Sequence, residues 1–223
     1  MRPIKLSNKA ISTVLNSIQS TIYSEEFLDP TKSKVKRHSS GLITEYEPYS
    51  DEYFYKAFNE FNLKEFAFPR DDYMGSIKHI EPVNTALKKF GNKLQRRLCA
   101  QGNALFAIYP PGGYIGWHHN GNAPGYNILF SYSQDGKGWF KYYDYADKEI
   151  KTIYDEPGWN VKVGYYPNQE AEPERVYWHS AYTENTRVSI AFIVNDRDLW
   201  LSMIDDISDG NYDESLKSQG PLK

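Results

Sequence analysis

The stretch Tyr109-Pro-Pro-Gly-Gly-Tyr-Ile-Gly-Trp-His-His-Asn-Gly-Asn122 holds two of the five histidines of this chain in a short polar cluster behind a Pro-Gly turn. Imidazoles gathered behind a tight turn point to half of a metal site. The other half is expected at His179, in Tyr177-Trp178-His179-Ser180, with Arg187-Val188-Ser189 eight positions further on inside an otherwise apolar segment.

The segments 105–109, 126–133, 138–143, 149–154, 160–166, 175–178 and 186–194 are short and rich in aromatic or β-branched residues. They are separated by Gly, Pro, Asn or Asp turns. Seven or eight strands of this kind predict a double-sheet jelly roll. The 19 Tyr, 11 Phe and 5 Trp suit it, because such side chains cover a pleated, half-buried surface well.

Helical patterns come first. Ser7 can cap a helix over 8–22, in which Ile11, Val14, Leu15, Ile18 and Ile22 recur at helical spacing. Residues 51–61 are a second candidate. Val83, Leu87, Phe90, Leu94 and Leu98 predict a long helix over 80–99, with Lys88, Lys89, Lys93, Arg96 and Arg97 largely on its solvated face. Residues 29–40 read as an exposed basic loop. Cys99, the one cysteine, is expected to be a buried helix residue and excludes an intramolecular disulfide. The whole is expected to be one domain over 1–223: helical support and loops over 1–101, a jelly-roll core over 102–195, then a short helix and a loosely ordered tail over 196–223.

The formal charge of −3 and isoelectric point near 6.0 give no global reason to bind nucleic acid or an anionic membrane. Apolar runs are too short to span a bilayer and the first residues do not form a signal peptide, so a soluble, cytoplasmic protein is expected.

Strand alternation decides which polar residues can share a pocket. Side chains two apart lie on one face, so His118 and Asn120 can project into a cavity while Trp117 and His119 point away. His179, 61 residues after His118, is the best-placed third ligand. Two histidines and one short oxygen-bearing side chain match the facial arrangement that leaves positions open for substrate and O2 at Fe(II), and such a set also tolerates Mn, Co, Ni or Zn. In 186–194, Val188, Ile190, Phe192 and Val194 form an apolar face, leaving Arg187 and Ser189 on the other with Ala191 and Ile193. A guanidinium aimed into a barrel interior needs an anion, and its planar fork suits a carboxylate at roughly 1.5–3 kcal/mol per charged hydrogen bond. Arg187 and Ser189 would then hold the far carboxylate of a dicarboxylic acid whose near end chelates the metal.

In these residues the chain resembles the Fe(II)- and 2-oxoglutarate-dependent oxygenases, most closely the prolyl-hydroxylase-like branch. Tyr109, Pro111-Gly112, His118-His119-Asn120, His179 and Arg187-Val188-Ser189 stand in the family's order, over about residues 103–195. The resemblance implies a double-stranded β-helix. It also implies a hydroxylase that couples O2-dependent decarboxylation of 2-oxoglutarate to succinate with oxidation of a second substrate. By position, His118 and His179 would bind iron and serve catalysis, while Arg187 and Ser189, assisted by Tyr109, would bind the cosubstrate. Asn120 departs from the pattern, which has a carboxylate there. Three outcomes are open: Asn120 ligates, water fills the place, or the site does not turn over. Tyr126, Asn127 and Trp117 are candidate substrate contacts, with outward packing the alternative for Trp117. The substrate, whether a protein side chain, a nucleobase or a small metabolite, is left open. The compact chain resembles stand-alone microbial or phage-encoded oxygenases. The alternatives are a degenerate, non-catalytic jelly-roll binding module and a cupin-like metal protein.

Overall fold

A computed structural model of the chain describes residues 1–22, 35–60, 71–76, 89, 92–100, 102–121 and 123–221. Its strands are β1 (Arg2–Ile4), β2 (Lys36–His38), β3 (Asp72–Ser76), β4 (Gly102–Tyr109), β5 (Tyr114–His118), β6 (Gly125–Ser133), β7 (Gly138–Asp144), β8 (Glu149–Tyr154), β9 (Gly158–Tyr166), β10 (His179–Thr183) and β11 (Arg187–Val194). The helices with described bounds are α1 (Lys9–Ile22), α2 (Asp51–Glu60) and α3 (Arg197–Ser208).

From β4 onward the pairing is nested and antiparallel: β7 with β8, β6 with β9, β5 with β10, β4 with β11. One long ribbon is thereby wound over on itself, the double-stranded β-helix form of the jelly roll. Its turns fall alternately into a first sheet, β1-β9-β6-β11-β4, and a second, β5-β10-β7-β8. β3 joins the two, pairing Ile108 of β4 with Gly75 and Tyr114 of β5 with Tyr73.

Period-two alternation sorts the apolar residues into layers. Val188, Ile190, Phe192 and Val194 of β11 face out of the barrel. They pack with Ile11, Val14, Leu15 and Ile18 of α1 and with Trp200, Ile204 and Ile207 of α3. Tyr109, Ile115, Leu129, Phe140, Tyr166, Ala181 and Ala191 face inward. Trp117, Tyr143 and Trp178 cover the outside of the second sheet beneath Tyr53, Phe54 and Ala57 of α2. Each fully buried Leu, Ile or Phe contributes on the order of 1.5–3 kcal/mol, so each helical cover stabilises the outer face of one sheet.

Several expectations change. Asn8, not Ser7, caps α1, its Oδ1 accepting from the N–H groups of Ala10 and Ile11 at 3.0 Å each. Of the helix expected over 80–99, residues 92–97 are helical with Leu94 and Leu98 buried, while Val83, Leu87 and Phe90 lie outside the described residues. Cys99 is exposed rather than buried, in a left-handed conformation (φ 49°) just past that helix. Part of the basic loop, Lys36–His38, is a strand; residues 29–34 lie outside the described residues. No strand occupies 175–178: Pro173–Arg175 form a 3-10 turn and β10 begins at His179. Glu214–Ser218 form a 3-10 turn with Leu216 wholly buried against the helical layer, and the Gln219 side chain accepts from the Tyr165 N–H at 3.0 Å.

Candidate functional site

The turn from β4 to β5 starts the site. Gly112 has φ 71° and the Gly113 N–H donates to the Pro110 carbonyl at 2.7 Å. Proline at the second position and a positive-φ glycine at the third specify this tight reversal, which sends β5 back along β3 and β10.

His118 lies directly opposite His179 in the β5–β10 ladder. One step on, the register slips: Ala181 faces Ile115, so β5 carries an extra residue. Within that bulge the Gly116 N–H donates to the Asp71 carbonyl at 2.7 Å and the Trp117 N–H to the Pro48 carbonyl at 3.1 Å. A bulge resets alternation. Ile115 and His118 both face the interior, although three residues apart, while Trp117 turns outward. The Trp117 ring lies 4.5 Å from Phe54 and its Nε1 donates to the Ser50 carbonyl at 2.7 Å.

Each imidazole is held by a backbone carbonyl two residues before it. His118 Nδ1 lies 2.8 Å from Gly116 O, and His179 Nδ1 lies 2.8 Å from Tyr177 O. A carbonyl only accepts, so both Nδ1 atoms carry the proton and the lone pair of each ring sits on Nε2. Burial, reinforced by the His118 ring, holds the His179 pKa well below the usual imidazole value, which keeps this ring neutral. The two ring centroids are 4.1 Å apart, and the Asn120 amide Nδ2 is 3.4 Å from His179 Nε2. A half-turn of that amide would present its oxygen instead. Phe140 and Tyr166 stack on His179 at 5.4 and 5.2 Å. Among the described residues no group of three or more His, Cys, Asp or Glu could hold a metal ion, so the donor set is two imidazoles and an amide. That set fits a divalent cation of borderline hardness.

His118, His119, Asn120 and His179 open into a cavity of about 310 Å³, whose walls include Leu129, Phe140, Tyr166 and Ala191. This volume lies within the range of small-molecule sites. At its far reach are Arg187 and Ser189 of β11 and Tyr109 of β4, with Tyr109 directly opposite Arg187 in the ladder. The guanidinium carbon lies 5.6 Å from the Tyr109 ring centroid.

The first anion that Arg187 meets belongs to the chain. Its Nε donates to Asp155 Oδ2 at 2.9 Å and its Nη1 to Ser189 Oγ at 3.2 Å, whereas Nη2 is buried with no hydrogen-bond partner. Asp155 also accepts from Lys162 Nζ at 2.6 Å, and that ammonium reaches Ser131 Oγ at 3.1 Å. Burial works against the Asp155 carboxylate, but the two cations outweigh it and hold its pKa below the usual carboxylate range. Burial lowers the Lys162 pKa to about 8 despite Asp155. One carboxylate among two cations leaves the end of the cavity with a net positive charge. An anion at Nη2 would satisfy both the orphaned donor and that charge.

Other expected residues divide. Asn127 lines the cavity, with its Nδ2 donating to the Gly125 carbonyl at 3.0 Å. Tyr126 does not; it packs outside the barrel against Trp200 and Tyr165, at 5.0 Å from each. Trp117 lies outside as well, so neither of these two can contact a substrate in the cavity. His119, expected to point away, lies at the cavity's edge with its ring 4.6 Å from Trp178. β5 ends at His118, and in the turn that follows the Gly121 N–H donates to His119 Nδ1 at 3.2 Å, so His119 lies outside the strand alternation.

Asp155 and Lys162 escaped sequence reading. Asp155-Glu-Pro-Gly looks like a solvated turn, but Lys162 carried a signal. It alternates with Val161 and Val163 in a strand covered on both faces, which forces its side chain inside.

No family model and no curated protein matches the chain. Among solved structures it is similar to a Trichoplax adhaerens prolyl hydroxylase in complex with a hypoxia inducible factor peptide fragment, at 13% identity over 90% of this chain and 86% of that one, with a TM-score of 0.42. A Pseudomonas putida prolyl-4-hydroxylase matches at 13% identity over 57% and 72% of the two chains, with a TM-score of 0.31. A rice dioxygenase for auxin oxidation matches at 13% over 84% and 69%, with a TM-score of 0.38. With TM-scores below 0.5, these likenesses carry neither fold nor activity to this chain.

Proposed function

We propose that the protein is an Fe(II)- and 2-oxoglutarate-dependent oxygenase of the prolyl-hydroxylase-like kind, which couples decarboxylation of 2-oxoglutarate to succinate with oxidation of a second substrate. The observation that supports this reading best is the polarity of one cavity. Two imidazoles stand at one side, and a buried guanidinium with an unpartnered Nη2 stands at the other.

His118 and His179 would hold the metal through Nε2, with Asn120 supplying its amide oxygen or leaving that place to water. Bound iron would supply the activation of O2. Arg187, through Nη2, and Ser189 would hold the distal carboxylate of 2-oxoglutarate, and the Tyr109 ring packs beside them. The apolar wall of Leu129, Phe140 and Ala191 would exclude water from the cosubstrate between these ends. Anaerobic Fe(II) with 2-oxoglutarate should give a weak visible charge-transfer band, and aerobic incubation should release succinate. Metallated protein that does neither rejects the proposal.

A second reading, a jelly-roll binding module without redox chemistry, rests on Asn120. The amide is neutral where a carboxylate would offset cation charge, and its Nδ2 faces His179. This module would bind 2-oxoglutarate without releasing succinate, and Asn120→Asp would be needed to start turnover.

A further inference from the structure

Behind Arg187 and Ser189, which line the cavity, a buried cluster draws on five elements. Ser131 comes from β6, Gly138 from β7, Asp155 from the turn after β8, Lys162 from β9, and Arg187 with Ser189 from β11. The Lys162, Asp155 and Arg187 side chains are 1%, 0% and 1% exposed. Gly138 makes room for the carboxylate: a β-carbon there would lie 2.8 Å from Asp155 Oδ2. The Asp155 N–H is anchored on the Gly138 carbonyl at 2.9 Å.

An arginine that needed only an internal partner would be complete with Asp155, and a second buried cation would be a cost. Lys162 is nevertheless present, does not line the cavity, and reaches Arg187 only through the carboxylate between them. Its physical consequence is a count of charges. With Lys162 protonated, two cations and one anion leave one positive charge behind Nη2; without it the cluster is neutral.

We propose that Asp155 and Lys162 are positioning residues for the anion site: Asp155 occupies the Arg187 Nε so that Nη2 is left for a ligand carboxylate, and Lys162 restores the positive charge that Asp155 would otherwise cancel. The inference rests on the 2-oxoglutarate reading above and assigns that site its charge. Among the described residues, Asp155 and Arg187 are the charged groups facing Lys162, with Ser131 as a neutral partner. Burial brings the ammonium down to about 8, so anion affinity should fall as pH rises past that value.

Calorimetric titration of the full chain, loaded with Mn(II), with 2-oxoglutarate tests this. Lys162→Met makes the cluster neutral and should weaken binding roughly tenfold or more, since a unit charge is removed at short range in a poorly screened site. It should also abolish the loss of affinity above about pH 8. The double variant Asp155→Asn with Lys162→Met regains one net positive charge and keeps an oxygen for Arg187 Nε, so its affinity should return to within about threefold of wild type. A merely structural role would leave the double variant at least as impaired as Lys162→Met. That outcome, or wild-type affinity in Lys162→Met, overturns the inference alone. Wild-type protein that binds no 2-oxoglutarate overturns the functional reading and the inference with it.

Discussion

His118 and His179 face one another across the β5–β10 ladder with ring centroids 4.1 Å apart, each ring tethered through Nδ1 to the carbonyl two residues before it. The pair is preorganised: the Nδ1 tethers fix the tautomer and orientation of each ring, leaving Nε2 as the acceptor nitrogen. A divalent metal that binds only the folded chain should therefore raise the unfolding temperature, by the equivalent of about 2.7 kcal/mol at a hundredfold excess over Kd. Thermal scans with Mn(II) or Fe(II) check this, and chelator should reverse the shift. His118→Ala or His179→Ala should lose it.

Asn120 sits where a neutral amide meets the cation. Replacing it with Asp adds a full negative charge beside the two imidazoles, so Asn120→Asp should raise Mn(II) affinity roughly tenfold or more in a direct titration. A fall would mean that the amide has its own role in the native site.

Asp155 is the counter-charge of two buried cations. Asp155→Ala leaves both uncompensated and should destabilise the fold by about 3–5 kcal/mol in chemical denaturation, less whatever Lys162 recovers by shedding its proton. Because the Asp155 pKa is held below its ordinary value of 3.8, its contribution is complete above that pH and is lost as pH falls through the lower folded value. Wild-type stability should therefore decline in acid over that window, and Asp155→Asn should remove this component of the decline.

Leu216 anchors the C-terminal segment in the helical layer. Leu216→Ala should cost about 2–5 kcal/mol by urea denaturation while leaving metal and 2-oxoglutarate affinities unchanged, because the site lies across the first sheet from it. A loss below about 0.5 kcal/mol would mean that the tail contributes little to the fold.

Much of the scaffold was legible because local chemistry and tertiary demand coincide. Alternation in 186–194 separated Val188, Ile190, Phe192 and Val194 from Arg187 and Ser189. The Pro111-Gly112 pair specified the turn before β5, and the spacing of Ile11, Val14, Leu15 and Ile18 specified α1. Those patterns arise within a few residues of backbone period. Four short strands, Arg2–Ile4, Lys36–His38, Asp72–Ser76 and Tyr114–His118, were not among the expected segments, since three to five residues carry too little periodicity to announce themselves.

Sequence alone determined the candidate donors and the face of β11 that carries Arg187, because residue type and strand period are local properties. Only the tertiary structure decided that a bulge brings Ile115 and His118 to the same side, that Tyr126 and Trp117 face away from the cavity, and that Arg187 shares Asp155 with Lys162. Each of those depends on which distant segment supplies the partner. A single strand's pattern does not record whether the carboxylate that a buried guanidinium meets arrives from 32 positions away in the chain or from a ligand.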